Sequence, residues 1–403
     1  MLFTVLSLAL GSGGLAAMPV PAEATTVFAD RIYTAAGDVI ENGMVVITDG
    51  KISAIGVAPN GERKEGELHV AAITPGMVDL SSRNTNMQTV EETTEVSAQY
   101  HVADSLDLFD RSWGRQLKSG VTTVVANPYD NNCIGGFSIA LKTGGEPSLE
   151  ARTVKADVAL RGSFGSQPSG KNHPARRRPT DFYSRRPTTR MGVEWVWRKS
   201  MYDALYAEGN KDRAFDGVEQ LLAALNGEVP VFAQAWATQD IRTAVFLKEE
   251  MAKEGKTKMR LIIDAGAEAW RELDFLTRTG TAVVLPPFAS DGRTFDNAFY
   301  ARDCAAKLHG AGVPIALSAH NDSSPGHSLG DQAAFARSGG LSFDAALEAV
   351  TISPARIMGI DRRVGSIEVG KDGDLVLWNG TPFELTSSVV GVVLEGELVV
   401  DPR

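Results

Sequence analysis

The chain of 403 residues is poor in the side chains that build crosslinks and metal cages. It has two cysteines, Cys133 and Cys304, which excludes a disulfide framework and any cysteine metal-ligand spacing. Both are expected as buried apolar fillers. Only six histidines are present: His69, His101, His173, His309, His320 and His327. Positive charge is short as well. Forty Lys and Arg against fifty Asp and Glu leave a net charge of −10. That disfavours a nucleic-acid role, because neutralising phosphates needs surplus cations. No apolar run approaches the roughly 20 residues that a membrane-spanning helix requires, so membrane embedding is not expected.

What is present suggests an exported globular protein. Leu2 to Leu10 is a short apolar run, and Ala22-Glu23-Ala24 matches a small-x-small cleavage pattern. A signal peptide over 1–24 is the reading, with a periplasmic or extracellular mature chain. No Lys or Arg precedes the apolar run, which departs from the usual pattern.

Strand-forming residues gather at both chain ends. Val27–Tyr33, Gly43–Thr48 and Lys51–Ile55 open the chain, with Asp49-Gly50 as a hairpin turn. Ser366–Glu368, Leu375–Trp378, Val389–Leu394 and Leu398–Val400 close it. Neither set suffices for a stable sheet pair, so the two ends are expected to associate into one small β-sandwich. Between them, apolar strand-like runs alternate with helical stretches. The strands are Ile73–Leu80, Thr122–Ala126, Val154–Leu160, Pro230–Ala235, Arg260–Ile263, Ala282–Leu285 and Pro314–Leu317. The helical stretches include Leu106–Ser119, Gly192–Glu208, Gln239–Lys253 and Ser342–Ile352. This α/β alternation predicts a (β/α)8 TIM barrel. No Gly-rich phosphate fingerprint supports the rival, a doubly wound open sheet. The expected organisation is a signal peptide at 1–24, sandwich at 25–73, barrel at 74–362 and sandwich again at 363–403.

Several motifs carry a family resemblance. Thr74-Pro75-Gly76-Met77-Val78-Asp79 leads into Leu80-Ser81-Ser82-Arg83. Leu117 to Thr123 reads Leu-Lys-Ser-Gly-Val-Thr-Thr, and Leu347 to Pro354 reads Leu-Glu-Ala-Val-Thr-Ile-Ser-Pro. Val364 to Val376 reads Val-Gly-Ser-Ile-Glu-Val-Gly-Lys-Asp-Gly-Asp-Leu-Val. Together these resemble the amidohydrolase superfamily of metal-dependent hydrolases, and imidazolonepropionase-like members in particular. The resemblance implies a TIM barrel with a β-sandwich built from both chain ends, and hydrolysis of C–N bonds other than peptide bonds.

It also implies metal ligands, and here the chain departs from the pattern. Ser81 and Arg83 stand where the resemblance places a His-x-His pair. Gln234 or Trp236 replaces the histidine after the fifth strand. The histidine after the sixth falls near Asp264-Ala265-Gly266. The final Asp place falls on His320, or on Asp322 after a slip of two residues. Serine is a poor ligand, and Arg cannot lose its proton to become one. Catalytic zinc needs about three His, Asp, Glu or Cys ligands. No metal or other cofactor is therefore expected.

Other polar groups allow bland and functional readings. His320, Asp322 and His327 form either an adaptable loop or a rebuilt catalytic centre. Glu91, Glu92 and Glu95 read as a solvated helical face. Lys171–Arg190 holds seven basic residues against one acid, Asp181. It reads as a solvated loop, or as a recruiter of anions. Trp195 and Trp197, two apart, cannot share one helix face.

Three functions stay open. The favoured one is a non-catalytic binding or regulatory subunit, whose mouth, lined by Ser81, Arg83, Gln234 and His320, takes a small polar or acidic ligand. It would act as a homo-oligomer, or beside an active paralogue. The second is a hydrolase of a cyclic amide or amidine using His320 and Asp322, with zinc or another divalent metal. The third is a structural or adhesive exported protein.

Overall fold

A computed structural model describes residues 24–58, 68–82, 87–170, 172, 185–288, 296–320 and 328–401. Residues 1–23 of the proposed signal peptide, Arg83, Asp322, His327 and most of the basic insertion lie outside these residues.

Fifteen strands are described, and they form two sheets. The first takes β1 (Thr25–Ile32), β2 (Ile40–Thr48), β3 (Lys51–Val57) and β4 (Leu68–Pro75) from the start of the chain. It adds β13 (Leu375–Trp378), β14 (Val389–Leu394) and β15 (Glu397–Val400) from the end. The order is β15-β14-β13-β4-β1-β2-β3. The two chain ends do associate, as expected, but their strands join into one continuous seven-stranded sheet rather than two facing ones. Its core packs Val27, Ile32, Val45, Ile47, Ile73, Leu375 and Val393. Two-residue turns close two of this sheet's hairpins, β2–β3 and β14–β15. Asp49 and Gly50 have φ of +51° and +74°, and Glu395 and Gly396 have +46° and +86°. Positive φ at both central residues gives the twist that adjoining strands require. The strand expected at Ser366–Glu368 is irregular loop.

The second sheet has eight strands in chain order: β5 (Met77–Ser82), β6 (Val121–Ala126), β7 (Ile134–Lys142), β8 (Thr153–Ser163), β9 (Val231–Gln234), β10 (Leu261–Asp264), β11 (Ala282–Leu285) and β12 (Ile315–Leu317). Sequential pairing curls it into a nearly closed barrel. β12 and β5 share no backbone ladder, but Asp79 on β5 accepts hydrogen bonds from the Ser318 hydroxyl (2.7 Å) and the Ala319 N–H (2.9 Å), which join those edges. Val78, Leu80, Val125, Phe232, Ile262, Val284 and Ala316 pack as one apolar cluster drawn from around the barrel. The main helices are α1 (Arg111–Lys118), α2 (Leu149–Arg152), α3 (Gln167–Gly170), α4 (Arg190–Ala207), α5 (Val218–Leu225), α6 (Thr238–Glu254), α7 (Leu273–Thr279), α8 (Cys304–Gly310), α9 (Leu329–Ser338), α10 (Phe343–Val350) and α11 (Ile352–Met358). None is long and apolar enough to cross a membrane.

Two features of the barrel escaped the sequence. The run from Ile73 to Leu80 is not one strand, because it turns from the end sheet into the barrel at Gly76. A Cβ there would sit 2.0 Å from Thr122 Oγ1, so only glycine permits that approach. The third barrel strand, β7, was missed altogether and runs antiparallel to β6 and β8. The barrel is thus not a uniform (β/α)8 repeat. Gly136 breaks the register of β7 at φ +111°, where a Cβ would meet the Tyr100 carbonyl at 2.4 Å. Two glycines and a terminal lysine hide β7 from a reading based on apolar runs.

That lysine ties the two sheets together. Because β7 runs against its neighbours, Lys142 ends at the face of the barrel where the end sheet docks. Its ammonium meets Asp372 at 2.8 Å and Asp374 at 2.5 Å, and the side chain is 2% exposed. Lys51 and Arg363 also pair with Asp372. Burial pushes the Asp372 carboxyl up, but Lys142, with Lys51 and Arg363, outweighs it and holds the group down at about 2. The Gly-Lys-Asp-Gly-Asp run is therefore a clamp on a buried cation. Both cysteines are buried and free, with burial pushing each thiol up to about 12.

Candidate functional site

Strands β5, β8, β9, β10 and β12 bring polar side chains to one rim, the carboxyl ends of the parallel barrel strands. Function in barrels of this kind is carried at that rim. At its centre is Arg161, two residues from the end of β8. Its Nε donates to Asp130 Oδ1 (2.8 Å), and its Nη2 donates to Asp130 Oδ2 (2.9 Å) and Asp264 Oδ2 (2.7 Å). The guanidinium lies 4.6 Å over the Phe232 ring. Side-chain exposure is 2% for Arg161 and 1% for Asp264. Burial lowers the Arg161 pKa, but Asp130 and Asp264 outweigh it and hold it above the ordinary value. The rim thus carries a permanent, buried cation.

The residues singled out from the sequence attach to this pair. Ser81 is next to last in β5 and donates from Oγ to Asp264 Oδ2 at 2.8 Å. Its neighbour Ser82 faces the other way and accepts from Gln116 of α1. Gln234 ends β9, donates to Asp130 Oδ2 at 2.7 Å, and accepts from the Ser163 hydroxyl at 3.2 Å. Ser81 and Gln234, widely separated in sequence, therefore join one network through Asp264, Arg161 and Asp130. His320 follows β12 and is 7% exposed. Its ring stands edge-on to Trp236 with centroids 5.9 Å apart, and its backbone N–H donates to Ser318 Oγ. Arg83 and Asp322 lie outside the described residues.

Two residues at this rim hold backbone strain. Ala265, just past β10, has φ +56°, and His320 has φ +53°. The left-handed region costs a non-glycine residue roughly 1–2 kcal/mol and is retained where surrounding structure demands it. Asp79 accepts from the Ser81 N–H as well as from Ser318 and Ala319. Burial first, with the Asp264 charge adding to it, raises Asp79 to about 6 against the opposing pull of those three donors.

The described donors at this rim do not by themselves make a ligand set for a catalytic divalent ion. Among the described residues, no group of three or more His, Cys, Asp or Glu is arranged to hold one. Asp79 is engaged by three hydrogen bonds, and Asp264 by Ser81 and Arg161. A guanidinium ~4 Å from a metal repels it by roughly 4 kcal/mol per unit of metal charge at an effective dielectric of about 20.

The sequence reading missed Arg161, Asp130, Asp79 and Ser318, and treated Asp264 only as a neighbour of Ala265. A signal existed: Arg161 and Asp264 are charges that close apolar strand runs, Val158–Leu160 and Leu261–Ile263. The glutamate reading also changes. Glu91, Glu92 and Glu95 lie in turns, not on a helix, and Glu95 pairs with Arg186 at 3.1 Å. Arg185 donates to the Thr94 carbonyl at 2.8 Å, so this end of the basic insertion is tied to that segment. His101 pairs with Asp157 at 2.7 Å and His69 with Asp30 at 3.3 Å. Trp195 is half exposed, whereas Trp197 is buried and stacks on Phe164, as their spacing implied.

Known proteins share both sequence and fold with this chain. The pattern of the Amidohydrolase family matches residues 288–399. The amidohydrolase tasK of Hapsidospora irregularis is 27% identical over 402 residues, covering 91% of this chain. The match takes in 40% of that relative, so this chain spans about two fifths of its length. An amidohydrolase structure from Thermotoga maritima MSB8 superposes with a TM-score of 0.79 at 25% identity, covering 92% of this chain and 98% of that one. A prolidase complexed with N-methylphosphonate-L-proline shares the fold at a TM-score of 0.55 and 14% identity, covering 94% of this chain and all of that one. With the barrel, the composite end sheet and the motifs that join them, these likenesses establish that the chain belongs to the amidohydrolase superfamily.

Proposed function

We propose that this chain is a non-catalytic member of its superfamily, a binding or regulatory subunit whose metal site has been replaced by a buried ion-pair network. The observation that carries this reading is Arg161. A fixed cation, paired with both Asp130 and Asp264, sits among the strand ends where the resemblance places metal ligands. Without a metal, water is not acidified toward neutral pH and an amide oxygen is not polarised, so both halves of the usual chemistry are missing.

The same network indicates the ligand. Arg161 Nη1 and Asp264 Oδ1 are buried with no hydrogen-bond partner, one a donor and the other an acceptor. The Arg161 guanidinium stands among three carboxylates, Asp79, Asp130 and Asp264, of which it pairs with the last two. Of the two ligand classes expected from sequence, the polar one suits this balance better than the acidic one. Association with an active paralogue, and export with cleavage near Ala24, belong to the same proposal.

The test is elemental analysis of the purified mature chain, with an assay of amide hydrolysis before and after zinc addition. Substoichiometric metal and no turnover are expected. A stoichiometric ion at the rim, or zinc-dependent turnover, overturns the proposal. A second reading rests on the strained φ of His320, since strain is kept where function needs it. In that reading, hydrolysis of a cyclic amide or amidine runs through His320 and Asp322. It requires an activity that His320→Ala abolishes.

A further inference from the structure

We propose a second ligand site, for an amphipathic organic anion, at the end of the barrel opposite Arg161. A cavity of about 460 Å³ opens there, beside the first residues of β9, β10, β11 and β12. That volume lies within the usual range for small-molecule sites, about 300–1,000 Å³. The Arg161 network sits at the other ends of these same strands, about 10–13 Å away along strands of three or four residues.

The lining combines an apolar wall with cations. Met259, Leu261 and Ile357 supply the wall, and Lys248, Arg260 and Arg356 supply charge, against one carboxylate, Glu348. A fourth cation stands close by. Lys155 is held below its ordinary value by burial and by the charge of Arg260, and its Nζ donates to the Met358 carbonyl at 3.3 Å. Among the described residues none of these four cations is in an ion pair. Lys248 donates to the Thr279 carbonyl (2.7 Å) and Arg260 to the Gly227 carbonyl (3.2 Å), which are neutral partners. Burial lowers Lys248 too.

This arrangement runs against the character of the chain. Acids outnumber bases fifty to forty, so carboxylates to neutralise exposed cations are plentiful elsewhere. Gathering four cations around one apolar cavity without pairing them costs mutual repulsion, which a bound anion relieves. An apolar body fills the wall while a carboxylate, sulfonate or phosphate head meets Arg260 and Arg356, whose planar forks suit such groups.

The probe is 1-anilinonaphthalene-8-sulfonate, an anion on an apolar body, titrated into the folded full chain by fluorescence. Octanoate, octyl phosphate and octanol serve as competitors. Octanoate and octyl phosphate should displace the probe, and their ranking tells carboxylate from phosphate ligands; octanol should not. The double variant Arg260→Gln/Arg356→Gln should bind the probe about tenfold more weakly, the equivalent of about 1.4 kcal/mol. Both arginines are exposed and outside ion pairs, so its thermal midpoint should not fall. Glu348→Gln should act in the opposite direction and tighten binding. Unchanged affinity in both variants, or displacement by octanol as effective as by octanoate, overturns the proposal. Metal content is read independently, so failure here leaves the reading of the rim intact.

Discussion

Arg161→Met tests the buried network most directly. Methionine keeps much of the apolar stem and its packing against Phe232 but removes three charge-assisted hydrogen bonds of 2.7–2.9 Å. Asp264 would keep only the Ser81 hydroxyl, and its Oδ1 already has no partner. Asp130 would keep Gln234. Removing one member of a buried ion pair leaves an uncompensated charge, which costs about 3–5 kcal/mol. Native domains are stable by about 5–15 kcal/mol, so the loss takes a large share of the total. The assay is urea unfolding followed by circular dichroism at several pH values. The deficit should be largest near neutral pH and shrink on acidification, as the stranded carboxylates take up protons. Adding Asp264→Asn should recover much of the loss, because the amide still accepts from Ser81 without a charge. A single variant within about 0.5 kcal/mol of the parent, the range of ordinary surface changes, would refute the reasoning. So would a double variant no more stable than the single one.

The clamp between the sheets should respond similarly. Lys142→Met strands Asp374, while Asp372 keeps Lys51 and Arg363, and should cost about 3–5 kcal/mol in urea unfolding, with the end sheet losing protection first in hydrogen exchange. Two carboxylates should act on stability with opposite signs as pH changes. Asp372 is held at about 2, below its ordinary 3.8, so it contributes about 2 kcal/mol above pH 4 that is lost as pH falls through 2. Asp79 is raised to about 6, so its contribution is full below about pH 4 and about 3 kcal/mol is lost as pH rises through 6. Comparing stability–pH curves for Asp372→Asn, Asp79→Asn and the parent checks both signs. Trp197→Ala should cost about 3–5 kcal/mol, because its ring is buried against Phe164 and close to Gly162. Trp195→Ala should change stability by less than about 0.5 kcal/mol.

Most of the strands, the hairpin turns and the barrel architecture were legible in the sequence, because each rests on local rules. Apolar runs marked β9 to β12, and Asp49-Gly50 announced a turn that needs positive φ. The family resemblance was legible for a related reason. Gly76 and the Lys371–Asp374 turn perform contacts that few other residues could, so their order survives as a motif. By contrast, β7 offered no clean apolar run, since Gly135, Gly136 and Ser138 interrupt it and Lys142 ends it. Its antiparallel course follows from pairing with β6 and β8 on both sides, which is a long-range fact.

Within the site, the sequence alone showed that no histidine falls at three of the four places where the family resemblance puts metal ligands. It also placed Ser81, Gln234 and His320 at strand ends. Only the tertiary structure decided what stands there instead. Asp130, Arg161 and Asp264 come from a loop and two strands separated by 31 and 103 residues, and none of them in sequence points to the others. Barrel closure removes them from water together, and burial is what turns three ordinary charges into one network whose members cannot be lost singly.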